Sequence, residues 1–285
     1  MNSVGGPALR AEGLTLGYEG RTVSEDLDLD IPTGGLTVIV GPNACGKSTL
    51  LRALARLLSP QQGRVLLDGA DVHRMKSKDL ARRLGMLPQS SISPDAIKVT
   101  DLVARGRHPH QSVWRQWSPQ DTTAVTEAMT AAGVLDLADR YVDELSGGQR
   151  QRVWIAMLLA QETPYLLLDE PTTYLDIAHQ IELMELLTDL HRAGRTVVAV
   201  LHELNQAARY ATHLVAMRDG AVVASGPPRD VVTPDLIGEC FGLPVHVIAD
   251  PISGAPLVIP IGRADDRAPL AAPLTTPPAT QKRGS

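Results

Sequence analysis

The chain has 285 residues, 44% of them hydrophobic, enough for one large domain or two modest ones with a packed core. Aromatics are only 3%, so that core must be built from Ala, Leu, Val and Ile, and a net charge of −5 argues against a nucleic-acid-binding surface. No run approaches the roughly 18 apolar residues of a membrane span, residues 1–7 lack a secretory signal's basic start and apolar stretch, and Cys45 and Cys240 alone make no disulfide or zinc framework.

The expected compartment is therefore the cytoplasm. Leu9, Ala11, Leu14 and Leu16 are spaced like a strand interrupted at Gly13. Leu27, Leu29 and Ile31 alternate with Asp28 and Asp30, the period of a half-buried strand. Residues 36–40 are apolar on both faces and end at Gly41, as a central parallel strand does. Leu50, Leu51, Leu54, Leu57 and Leu58 then recur at helical spacing. Ser118-Pro119 reads as a helix cap followed by Pro at the first helical position, with Gly133 as the stop. A further helix is expected from Gly147-Gly148 through Leu159.

Residues 165–168 are another buried strand, followed by a helix ending at Gly194 and a strand over 196–201. Residues 215–225 predict a hairpin turning at Asp219-Gly220, and 245–261 a smaller one turning at Ser253-Gly254. Strands alternating with helices argue for an α/β core with a parallel sheet. A mainly helical block, about 92–161, is inserted in it. Beyond Arg263 the composition predicts a disordered tail.

Gly41-Pro42-Asn43-Ala44-Cys45-Gly46-Lys47-Ser48 fits the Walker A pattern, placed after a buried strand and before a helix. Successive backbone N–H groups and a helix N-terminus must surround phosphates, so side chains have to stay out of the way. Lys47 supplies a point charge for the β- and γ-phosphates, and the Ser48 hydroxyl is a ligand for Mg²⁺. Leu166-Leu167-Leu168-Asp169-Glu170 reads as the Walker B partner. Asp169 at a strand end can reach Mg²⁺, and Glu170 is placed to orient or deprotonate the attacking water. Alone, such an acidic pair often merely ends a strand at the surface; the phosphate loop upstream gives it its meaning.

Leu145-Ser146-Gly147-Gly148-Gln149 lies between the two, and with Arg150-Gln151-Arg152 it resembles the signature of the ABC family. Physically, a serine and two glycines opening a helix make a second anion site. The resemblance covers residues 8–262. It implies a P-loop NTPase core with a parallel sheet, an N-terminal antiparallel β subdomain and the inserted helical subdomain. It further implies ATP and Mg²⁺ as cofactors, with the nucleotide on Asn43, Ala44, Cys45, Gly46, Lys47, Ser48 and Thr49. By the same resemblance Tyr18 stacks on adenine, Gln89 senses Mg²⁺ and the γ-phosphate and faces a permease, and Asp169 and Ser48 complete the metal site. Asp176 matches the loop that crosses a dimer seam, and His202 the switch histidine at the γ-phosphate. Glu170, His202, Gln89 and Lys47 form the catalytic set.

The implied partner is a second copy in a head-to-tail dimer, in which Ser146, Gly147, Gly148 and Gln149 of one copy close over ATP held by the other. Ala44 departs from the family, where many relatives carry Gly; its methyl is tolerable if the backbone there is not left-handed. Cys45 lies in the phosphate loop, so its alkylation is expected to block nucleotide binding.

Four features resemble the ATPases of bacterial ferric-siderophore importers, whose relatives carry cobalamin and haem. They are Arg105-Gly106-Arg107-His108-Pro109-His110, the segment 172–180, the single cassette without a fused membrane domain, and residues 249–256. His108 and His110 are expected to meet a permease or solvent, since no further metal ligands accompany them. The resemblance implies transmembrane permease subunits, indirectly an extracytoplasmic binding protein, and a place at the cytoplasmic face of the plasma membrane. The alternative is a cobalamin or haem importer, or a soluble ABC ATPase of cofactor assembly. Repair members carry long coiled-coil insertions and ribosomal members two cassettes; neither is visible here.

Overall fold

The computed structural model describes residues 9–89, 95–111 and 117–262. The expectations for residues 1–7, for the start of the helical block at Ile92 and for the tail beyond Arg263 fall outside these residues.

Strands β1 (Leu9–Tyr18) and β2 (Arg21–Ile31) open the chain, and β3 (Leu36–Val40) leads through the phosphate loop into α1 (Lys47–Leu54). Strands β4 (Gln62–Leu67) and β5 (Ala70–Asp71) follow, then α2 (Ser77–Ala81) and β6 (Leu84–Leu87). Helices α3 (Val99–Ala104), α4 (Pro119–Ala131) and α5 (Gly147–Ala160) make the middle of the chain. After them come β7 (Tyr165–Asp169), α6 (Ile177–Arg192), β8 (Thr196–Val200), α7 (Leu204–Tyr210), β9 (His213–Arg218) and β10 (Ala221–Gly226). Short helices α8 (Pro228–Val231) and α9 (Pro234–Phe241) precede the hairpin β11 (Val245–Ala249) and β12 (Pro256–Pro260).

An antiparallel sheet runs in the order β2-β1-β4-β5, and a six-stranded sheet in the order β10-β9-β3-β8-β7-β6. The latter is parallel except where β10 pairs antiparallel with β9. Every residue of β3, β7 and β8 is buried, because alternate side chains enter different cores. Ile39, Leu167, Val198 and Val200 pack with the leucines of β1, β2 and α1. Val38, Val40, Leu166, Leu168 and Ala199 pack with α5, α6 and α7. This two-sided cover is why these strands read as unbroken apolar runs. The break expected at Gly13 is a register shift between Ala11 and Leu14, where Gly13 takes φ 57° and its N–H donates to Asp28 Oδ1.

One helical reading is corrected. The leucine spacing carries on to Leu57 and Leu58, but α1 stops at Leu54 and Arg56 turns left-handed at φ 59°, leaving Leu57 largely exposed. A left-handed residue cannot propagate a right-handed helix, and periodicity alone does not register it.

Helix α4 begins with a full capping box: Ser118 Oγ accepts from Asp121 N–H, and Asp121 Oδ2 accepts from Ser118 N–H at 2.9 Å. The same carboxylate meets a buried arginine. Arg107 Nε donates to Asp121 Oδ1 at 2.9 Å, and its Nη1 donates to Ala160 O at 2.7 Å and Glu162 Oε2 at 2.5 Å. The segment expected to face a partner is thus partly an internal anchor. Arg107 is buried, and His110 Nε2 lies 2.8 Å from Gln161 O, while His108 is exposed. Among the described residues, no helix is long and apolar enough to cross a membrane.

Candidate functional site

Four adjacent parallel strands, in the order β3-β8-β7-β6, end at one edge of the sheet. Gly41 follows β3, His202 lies two residues beyond β8, Asp169 closes β7 with Glu170 next, and Gln89 lies two residues beyond β6. Topology therefore brings together residues up to 161 positions apart in sequence at the carboxyl edge, where open α/β sheets bind ligands. There lies a cleft of about 880 Å³, lined by Asn43, Ala44, Gly46, Lys47, Ser48, Thr49, Gln89, Glu170 and His202, with Tyr18 at its rim. Arg21 and Val23 line it too, and nothing in the strand pattern of the sequence signals them.

The Lys47 side chain is buried, and its ammonium donates to Gly41 O at 2.9 Å and Pro42 O at 2.7 Å. The loop's own carbonyls thus satisfy a charge that can turn toward phosphate oxygens. Tyr18 is half exposed and accepts a long hydrogen bond from Arg52.

One expectation about the loop is corrected. Ala44 is left-handed, with φ 61°, so the condition for a harmless methyl is not met. A left-handed backbone costs an L-residue about 1–2 kcal/mol, less what the added freedom of glycine costs on folding. Ala44→Gly is expected to stabilise the chain by up to about 1 kcal/mol with ATP binding retained, as chemical denaturation and nucleotide titration would record. Cys45 lies in the loop but does not line the cleft; it is buried with the core of β1, β2 and α1. Burial pushes its thiol pKa up, Lys47 nearby only opposing this, and the thiolate is the reactive form. A maleimide is expected to label Cys45 slowly in the native chain and rapidly in denaturant, with mass spectrometry as the readout.

At the acidic end, Ser48 Oγ donates to Asp169 Oδ1 at 2.8 Å, while the buried Oδ2 has no hydrogen-bond partner among the described residues. Burial raises the Asp169 pKa; the Ser48 hydrogen bond works against this and the neighbouring Glu170 charge adds to it. A buried carboxylate oxygen without a donor beside a hydroxyl is a hard-oxygen set that suits Mg²⁺, which takes one or two carboxylates together with substrate phosphates. Glu170 is left-handed at φ 51°, a strained backbone of the kind that gathers at functional sites. Its Oε1 lies 2.6 Å from His202 Nε2, and its Oε2 accepts from Gln89 Nε2 at 2.7 Å. Two residues from neighbouring strand ends, His202 and Gln89, thus hold the Glu170 carboxylate in the cleft that the phosphate loop lines.

The remaining site residues form a separate cluster that does not line this cleft. Ser146 caps α5, and with Gln149 it closes a capping box: Ser146 Oγ accepts from Gln149 N–H, and Gln149 Oε1 accepts from Ser146 N–H. Side chains built on Gly147 and Gly148 would come to rest on Tyr174 and Leu175. Asp176 caps α6, and the hydrogen bond from the His179 N–H leads in holding its carboxyl below the usual range. Tyr174 and Ile177 stand beside it almost fully exposed, at 78% and 75%.

Comparison with known proteins shows the family. The sequence profile of the ABC transporter family matches residues 24–173. The ferric enterobactin transport ATP-binding protein FepC of Escherichia coli (strain K12) is 57% identical over 256 residues, covering 90% of this chain and 94% of that protein. The iron(3+)-hydroxamate import ATP-binding protein FhuC of Bacillus subtilis (strain 168) is 42% identical over 253 residues, covering 88% and 94%. The dimeric structure of MJ0796, a bacterial ABC transporter cassette, is similar with a TM-score of 0.69 and 27% identity, covering 77% of this chain and 98% of that one. A complete phosphate loop, its acidic partner and a signature helix, carried on this fold, place the chain in the ABC transporter family as one of its ATP-binding proteins.

Proposed function

We propose that this chain powers uptake of a ferric siderophore, working as a pair on the cytoplasmic face of a separate membrane permease that an extracytoplasmic binding protein supplies. The observation that carries the substrate class is the likeness to FepC, which extends over nine-tenths of the chain rather than over the ATP-binding motifs alone. In this reading residues 8–262 are one cassette, with about 92–161 as its helical insert and the tail beyond 262 outside it.

ATP sits with its phosphates on the N–H groups of residues 43–49 and on Lys47, and its adenine on Tyr18. Mg²⁺ held by Asp169, Ser48 and Gln89 supplies neutralisation of phosphate charge when bound. Glu170 takes the proton of the attacking water or orients it, and His202 and Gln89 hold its carboxylate at the correct angle. Ser146, Gly147, Gly148 and Gln149 of the second copy complete the site across the seam marked by Asp176. What supports this reading is that Ser146, Gly147, Gly148 and Gln149 do not line the cleft of their own chain. ATP drives the permease only through its greater affinity for the closed pair.

Uptake of iron-loaded siderophores by cells lacking the protein, complemented with the native chain or Glu170→Gln, tests the reading. Rescue by the native chain alone is the expected result. Unchanged uptake of every siderophore by cells whose native chain hydrolyses ATP would overturn the substrate class.

A further inference from the structure

Two turns of this chain share sequence and backbone. Asp68-Gly69 joins β4 to β5 and Asp219-Gly220 joins β9 to β10, with φ of 49° and 78° in the first and 48° and 82° in the second. Both are two-residue left-handed turns that match the twist of a hairpin and call for glycine. Gly69 stands in open space, with nothing within 4 Å of where its side chain would begin. Gly220 does not: a Cβ there would overlap Val23 O and lie 3.2 Å from Ser24 Cα. Turn type explains both glycines, but it does not explain this close approach.

The approach serves the phosphate loop. The Gly220 N–H donates to Cys45 O at 3.0 Å. A trans peptide is planar, with its C=O and N–H on opposite sides. Fixing the Cys45 carbonyl toward Gly220 therefore turns the Gly46 N–H the other way, and Gly46 lines the cleft. The same hairpin confines the start of the loop, since a side chain at Gly41 would collide with Met217 O. The hairpin is fixed from behind in turn: Cys240 Sγ donates to Met217 O at 3.4 Å, and Arg218 Nη1 donates to Glu239 O at 2.6 Å. All of these bracing residues lie outside the segment that matches the family profile.

We infer that the Asp219-Gly220 turn positions the phosphate loop, the missing side chain of Gly220 letting its N–H set the direction of the Gly46 amide. The inference rests on the cleft being the ATP site. Gly220 touches no substrate; it is a positioning residue. Loop amides hold phosphates before and during hydrolysis, so a displaced amide weakens ATP binding and leaves the chemical step largely alone.

The test compares Gly220→Ala with Gly69→Ala in the full chain, by ATP titration, steady-state hydrolysis and thermal unfolding. Both variants add the same left-handed strain, and Gly220→Ala adds the overlap with Val23 O, so it is expected to lose more Tm than Gly69→Ala. Only Gly220→Ala is expected to raise KM and Kd for ATP, by roughly 10-fold or more, with kcat within about twofold of wild type. Equal ATP affinity in the two variants, matching wild type, overturns the inference and leaves the ATP-site reading standing. Failure of the wild-type chain to bind ATP overturns both. Should Gly220→Ala not fold, amide exchange in the wild-type chain decides: exchange at Gly220 slows when ATP is added while exchange at Gly69 does not. No change at Gly220 overturns the inference.

Discussion

Replacing Glu170 with Gln is expected to slow ATP hydrolysis by roughly 10²–10⁴-fold while nucleotide binding is retained. The side chain keeps its size and can still occupy the space between His202 and Gln89, 2.6 and 2.7 Å away. What is lost is the carboxylate proposed to take the proton of the attacking water. The left-handed backbone at Glu170 is strain that a purely structural strand end would not need. Lys47→Ala, by contrast, is expected to lose nucleotide binding itself, because the ammonium held by Gly41 O and Pro42 O is the loop's point charge for phosphate. Phosphate release and ATP titration of the two variants separate these outcomes. Near-normal turnover in Glu170→Gln would remove Glu170 as the base.

Asp121→Ala is expected to cost about 3–5 kcal/mol of stability, although Asp121 lies far along the chain from any nucleotide motif. Both partners of the Arg107–Asp121 pair are more than nine-tenths buried, and removing the carboxylate leaves a buried guanidinium with Ala160 O and Glu162 as its remaining partners among the described residues. It also opens the capping box of α4. Burial by itself would raise the Asp121 pKa, but the hydrogen bonds from Ser118 and Arg107, with the Arg107 charge, outweigh it and hold the carboxyl below its usual value. Because the folded value is depressed, the contribution is complete above the unfolded carboxylate pKa and is lost as pH falls through the folded one. Denaturant unfolding across that acidic window is expected to give a steeper loss in wild type than in Asp121→Asn. Parallel curves would contradict the assignment. Since Ala160 closes α5, loosening this anchor also disturbs the helix that carries the signature.

The chemistry of this chain was legible because phosphate binding demands particular residues at fixed spacing. Gly41 to Ser48, Asp169-Glu170 and Ser146 to Gln149 each stand where the sequence places them, and strands 36–40, 165–168 and 196–201 declare their burial on both faces by unbroken apolar runs. What escaped was conformation and distant pairing. Ala44 and Arg56 are left-handed without being glycine, so neither the strained loop nor the early end of α1 has a residue-type signature. The turn of the backbone sends the Cys45 thiol into the core, which its place in the phosphate loop does not reveal. Arg107 and Asp121, like Gly220 and Cys45, meet only because the chain folds, and no local pattern announces a contact of that kind.

In the proposed dimer, ATP lies between two copies, held by the phosphate loop of one and the signature of the other. Sedimentation velocity of Glu170→Gln, with and without saturating Mg-ATP, tests it most directly, with Glu170→Gln/Ser146→Arg alongside. ATP is expected to convert monomer to dimer in the single variant, and Ser146→Arg to abolish the dimer while each monomer still binds nucleotide. An ATP-independent dimer, or one indifferent to Ser146→Arg, would contradict it.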